Sequence, residues 1–296
     1  AFLGAGLFDG STRFISFYIA IRWVQAGMYF STSYRLQASQ PYAKQMGLTV
    51  LGGMAIALMA LFFSSPLRQL IFLGSIGLEM LATAQIRAKR TVMPVHRSHL
   101  VERIGLLSII LLGESVISLV SGLSGLEWNQ YDMFAAVTGF LMIGAIWWIY
   151  FDSFNILERA KRIQQGFVLL YSHLLFLLGL GVLSSLIGHA ILNDLAITDF
   201  RRLAIAGMTL FYLGKQISYY AAFPTFRINL VINTVVCITV TTLSTFLPRP
   251  EYTLLGMTLG MFFFVYSNFK WTLTQDVTPF LIDEGLTSSE SLNPQT

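Results

Sequence analysis

Residues 99–115, HLVERIGLLSIILLGES, run almost without a break through apolar side chains. A segment this long and this greasy is a transmembrane helix, and carboxylates within such a helix are costly enough to need a reason. Similar runs recur along the whole chain. Their apolar residues are continuous rather than alternating, which excludes a β-barrel and leaves helices as the only way to satisfy the backbone in lipid. The 296 residues are 55% hydrophobic and 11% charged, with a mean hydropathy of +0.66. Soluble domains carry roughly 25% charged residues, so most of this surface cannot face water.

Nine spans are expected, near 14–33, 47–65, 67–86, 100–121, 132–153, 166–189, 202–222, 227–246 and 252–271. Pro66, Pro224, Pro248 and Pro250 mark tight turns between them. The fold class is therefore an all-α polytopic transmembrane bundle over residues 1–275, followed by an acidic tail over 276–296. That tail has the composition of a disordered or partner-docking terminus. Short linkers make successive helices antiparallel neighbours.

Basic residues set the orientation. Arg87, Lys89, Arg90 and Arg97, then Arg159, Lys161 and Arg162, crowd two loops on one side, which the positive-inside rule makes cytoplasmic. The C-terminus then lies in the cytoplasm and Ala1 outside, and an outside start leads us to expect one or more helices upstream. The net charge of +4 reflects these loops, and no aromatic-interleaved basic patch suggests nucleic acid. The single Cys237 lies in an apolar run, and the four histidines show no metal-ligand spacing, so no cofactor is expected.

Depth along each helix follows from a rise of about 1.5 Å per residue. On that count Arg22 and Glu114 fall roughly 10–12 Å below the outer surface, and Glu79, His173 and Lys215 roughly 18–21 Å. An outer layer would pair a guanidinium with a carboxylate, and an inner layer would join a carboxylate, an imidazole and an ammonium. These five residues are the candidate ion or solute pathway. The alternative is that they form buried pairs that only lock helix packing.

On the fourth span His99, Arg103, Glu114 and Ser118 fall on one face, a polar stripe expected to point into the bundle. Glu102 lies off that stripe near the interface. The fifth span ends IWWIYFD, placing Trp147, Trp148 and Tyr150 at the membrane boundary as an aromatic belt. Asp152 is level with His99 and Arg103, and the three form a candidate cytoplasmic latch. GMTLG at 256–260 has the spacing of close helix–helix contacts.

HLVERIGLLSIILLGESV (99–116) and WWIYFD (147–152) resemble the bacterial low-temperature-requirement protein A family. There a His-x-x-Glu-Arg-x-Gly-Leu segment leads into a Leu-Gly-Glu helix, and Trp-Trp-x-Tyr-Phe-Asp follows on the next. The resemblance spans roughly 14–275 and implies a multi-pass protein of the bacterial inner membrane, named for a growth phenotype. It implies signature positions at His99, Glu102, Arg103, Gly105, Gly113, Glu114, Trp148, Tyr150 and Asp152. The family's usual opening motif of Glu-Leu-Phe-Phe-Asp-Leu type has no match here, in keeping with helices expected upstream.

Three functions compete. The first is a transporter- or channel-like protein for a small ion or solute, through the stripe on the fourth span. The second is a non-catalytic subunit or assembly factor of a larger membrane complex, or a homo-oligomer, in contact with membrane lipids. The third is a lipid-directed membrane enzyme using Glu114 or His173 as acid–base, for which neither a nucleophile nor a metal cluster speaks.

Overall fold

The computed structural model describes residues 12–35, 40–64, 66–88, 97–124, 129–152 and 167–271, with Leu157 and Ala160. The basic loop 89–96, most of 153–166 and the tail from 272 lie outside the described residues, so the orientation signals and the tail carry no structural statement here.

Among the described residues the chain is all-α. It forms α1 (Thr12–Arg35), α2 (Gln40–Ala60), α3 (Leu67–Ala88), α4 (Arg97–Leu123), α5 (Gln130–Phe151), α6 (Phe167–Leu192), α7 (Ile197–Ala222), α8 (Arg227–Ser244) and α9 (Pro250–Trp271). A 3-10 turn at Pro224–Phe226 joins α7 to α8. These nine helices match the nine expected spans. The second starts at Gln40 rather than near 47 and stops at Ala60 rather than 65, because the polar QPYAKQ stretch carries the helix beyond its apolar part.

Six of the helices are long and apolar enough to cross a membrane: those within 40–60, 67–86, 99–123, 130–151, 168–192 and 224–244. The remaining three are α1, α7 and α9, of similar length. Two of them, α1 and α7, hold the cations Arg22 and Lys215. Helix termini follow local chemistry. Asn129 caps α5, accepting from the Tyr131 and Asp132 backbone N–H groups, while Asp132 accepts from the Asn129 N–H in return. Pro250 opens α9 at a position where a missing N–H costs nothing.

The chain divides into two compact units, Ala1–Pro94 and Val95–Thr296. In the first, α2 packs against both α1 and α3, and Phe72 meets Phe14 and Tyr18 edge-on at 5.9 and 5.1 Å between ring centroids. In the second, α6 and α7 make the most extensive contact, flanked by α4, α5, α8 and α9. Its core runs through Tyr150, Phe176, Phe211, Tyr212 and Phe264, each ring within about 5 Å of the next.

Close approach of α6 and α7 depends on glycine. A Cβ on Gly214 would run into the Phe176 backbone, and one on Gly179 would come within 2.8 Å of the Gly207 carbonyl oxygen. Hydroxyls buried among these helices donate to carbonyls one turn back, as Ser108 does to Ile104 and Thr234 to Leu230. That arrangement lets small polar residues sit in an apolar core without loss.

Candidate functional site

In the first unit, Arg22 on α1 reaches across to Glu79 on α3, with Nη2 2.5 Å from Oε1. The guanidinium is held on its own helix as well: Nε donates to the Tyr18 hydroxyl at 3.0 Å and Nη1 to Gln25 Oε1. Glu79 is 6% exposed and Arg22 21%. The other carboxylate oxygen, Oε2, is buried with no hydrogen-bond partner among the described residues. It rests against α2 at Gly53, where a Cβ would come within 2.6 Å of it.

This pairing corrects the expected layers, in which Arg22 belonged with Glu114 and Glu79 with His173 and Lys215. α1 begins at Thr12 and α3 at Leu67, so Arg22 and Glu79 differ in depth by about two residues, or roughly 3 Å. The arginine side chain covers that offset easily. Span ends judged from hydropathy alone were too coarse to place the pair together.

Within the second unit, His173 on α6 and Lys215 on α7 are brought together. They line one small cavity with Tyr150, Tyr219, Gly214 and Leu169, which has room for about one or two water molecules. It sits roughly 9 Å in from the Phe167 end of α6. Lys215 is 8% exposed; its ammonium donates to the Tyr219 hydroxyl at 3.2 Å and lies over the Tyr219 and Tyr150 rings, 4.6 and 6.0 Å from their centroids. The Asp152 carboxylate, exposed at the end of α5, acts on it through space.

The imidazole of His173 has a defined tautomer. Nδ1 is 2.7 Å from the Leu169 carbonyl oxygen, which can only accept, so Nδ1 carries hydrogen and Nε2 holds the lone pair. Tyr150 meets the ring edge-on at 5.9 Å. Beside it Ser172 and Ser218 hydrogen-bond across the α6–α7 contact. The result is one donor-rich cation and one acceptor nitrogen on the wall of a small space, enclosed mostly by aromatic and aliphatic groups.

The stripe on α4 points inward only in part. α4 packs through Val101, Ile104, Ser108, Leu112 and Ser115, whereas His99 and Arg103 are exposed and Glu114 and Ser118 half-buried. The physical reason is that polar residues eleven apart share a face, but the wider apolar arc decides which face packs. Among the described residues no ion pair joins the three latch candidates: His99 faces Glu102 at 3.6 Å, and the Asp152 carboxylate acts on Lys215.

Tyr219, Tyr18 and Gln25 were missed from sequence. Each had a signal, since Tyr219 follows Lys215 by one helical turn, Tyr18 precedes Arg22 by one, and Gln25 follows it by three residues. Tyr150 was read as part of an interfacial belt, yet it is 3% exposed and walls the cavity.

The profile of the bacterial low temperature requirement A protein (LtrA) matches residues 2–265. The chain belongs to this family. No curated protein and no solved structure matches it. Membership and the long apolar helices make it an integral, multi-pass membrane protein, whose exposed Phe, Leu and Ile side chains contact lipid. Both family-like motifs reach the LtrA cavity. Val101 and Ile104 of the first and Tyr150 of the second line it, and Asp152 of the second acts on its lysine.

Proposed function

We propose that this LtrA-family protein conducts or transports a small ion, and that the pathway passes the His173–Lys215 cavity rather than the stripe on α4. One observation carries this reading. An ammonium 8% exposed and an imidazole share a water-sized space inside an apolar helix bundle. Scales from membrane insertion put a lysine at a helix centre at about 3 kcal/mol, and a bundle held by packing alone has no use for that cost. Glu79, clamped by Arg22, is on this reading a structural partner that holds α1 to α3.

The test is electrical recording from vesicles containing the purified protein, with gradients of H⁺, Na⁺, K⁺ and Cl⁻ applied in turn. Wild-type protein carries current on at least one gradient, and Lys215→Met abolishes it while keeping the wild-type melting temperature. Silence on every gradient overturns the reading. Silence together with fixed-ratio comigration with other proteins on a native gel supports the other function, a subunit of a larger membrane complex. The bacterial inner membrane, with the C-terminus in the cytoplasm, is the setting we assign from the basic loops.

A further inference from the structure

We infer that the species handled at this cavity is the proton, passed between Lys215 Nζ and His173 Nε2 through a single water. The inference rests on the transport reading above and narrows it to one cargo. Size excludes solutes: the space holds about one or two waters, too few for an organic molecule or a metal ion with part of its hydration shell.

Charge and lone pairs exclude most of the rest. A metal cation would meet an ammonium on one side, and among the described residues no carboxylate lines the wall, since Asp152 lies outside the lining set. An anion would find the lysine ammonium already in the field of the Asp152 carboxylate and over the faces of Tyr219 and Tyr150. It would also face the lone pair of an imidazole whose only hydrogen is committed to Leu169. Water suits both walls, accepting from Nζ and donating to Nε2.

The step balances without any other reactant. The N–H bond of the ammonium breaks as the water oxygen takes that proton, and the same water gives one of its own to Nε2. Lysine becomes a neutral amine, imidazole becomes imidazolium, and the water is unchanged. The amine regains a proton from the exposed end of the bundle, where Asp152 stands. Among the described residues, Tyr219, which accepts from Nζ at 3.2 Å, and Tyr150 are the other titratable groups lining the cavity with the pair. Leu169 is a positioning residue through its carbonyl, because it fixes which imidazole nitrogen is the acceptor.

Two measurements on the full chain test this. In vesicles with an entrapped pH dye and the potential clamped by potassium and valinomycin, wild type collapses a pH gradient. Lys215→Met and His173→Asn, the latter keeping an amide donor for the Leu169 carbonyl, slow that collapse at least tenfold. Wild-type proton flux in His173→Asn overturns the relay. A current driven by Na⁺, K⁺ or Cl⁻ with no proton flux overturns the proton and leaves the transport reading standing; no flux of any ion overturns both. Independently of any variant's folding, nitrogen NMR of histidine-labelled wild type at neutral pH should show a buried imidazole protonated at Nδ1 alone. A buried ring protonated at Nε2 refutes the proposal.

Discussion

At the residue scale, the two buried cations behave differently because their partners differ. Arg22 and Glu79 form a closed pair, so Arg22→Ala leaves a carboxylate 6% exposed and without its counter-ion, which should cost about 3 kcal/mol. A thermal melt in detergent would register the loss, and a double change to Arg22→Met with Glu79→Leu should recover most of it. Equal melting temperatures for Arg22→Ala and wild type would show that the pair does not hold α1 to α3. Lys215 has tyrosine faces and a distant carboxylate instead. Replacing it by Met removes a desolvated charge and leaves the exposed Asp152 hydrated, so the melting temperature should hold or rise. A drop of several degrees would make Lys215 structural. The presence of these ionisable residues inside spans was readable directly from the sequence. Their pairing was not, because a helix rise of about 1.5 Å per residue turns a two-residue error at a span end into a different depth.

At the element scale, α6 and α7 form the axis of the second unit, and glycine sets their separation. Gly214→Ala places a methyl group against the Phe176 backbone, and Gly179→Ala places one near the Gly207 carbonyl. Neither obstacle can rotate away, so each change should destabilise by about 1–3 kcal/mol. Gly144→Ala on α5 is the control, since a Cβ there meets nothing within 4 Å, and it should melt like wild type. Matching losses at all three positions would mean that helix flexibility, and not the α6–α7 contact, is what these glycines provide. The sequence pointed to close packing at GMTLG, where a Cβ on Gly256 would indeed strike Ser244 on α8. It left the tighter α6–α7 contact unmarked, since Gly179 and Gly214 lie on different helices and no spacing rule links them. The stripe on α4 failed for a related reason: helical periodicity says which residues share a face, and only the neighbouring helices decide whether that face is inside.

At the scale of the whole molecule, helices joined by short turns alternate in direction within the second unit, so the α4–α5, α6–α7 and α8–α9 connections share one end. Contacts there agree: Arg249 of the α8–α9 turn stacks on Tyr131 of α5 at 3.7 Å, and Arg201 of α7 donates to the Leu247 carbonyl at 3.3 Å. On the orientation proposed above from the basic loops, that end faces outward. Ser124→Cys and Ala196→Cys should therefore react with a membrane-impermeant maleimide on intact cells, and Thr225→Cys only after permeabilisation. The native Cys237 is buried and adds little background. The reverse pattern would invert the topology and place the cavity near the outer surface.

Sequence alone determined the solvent, the helical class, the helices among the described residues and the family, because each depends on local quantities: run length, apolar content, turn residues and two motifs. It also named the residues too costly to be in lipid without a reason. Tertiary structure alone decided which of those residues meet. Arg22 met Glu79 and His173 met Lys215, while Glu114 is half-buried on α4. Pairing across helices depends on side-chain reach, axial offset and the packed face, and none of these is a property of one helix.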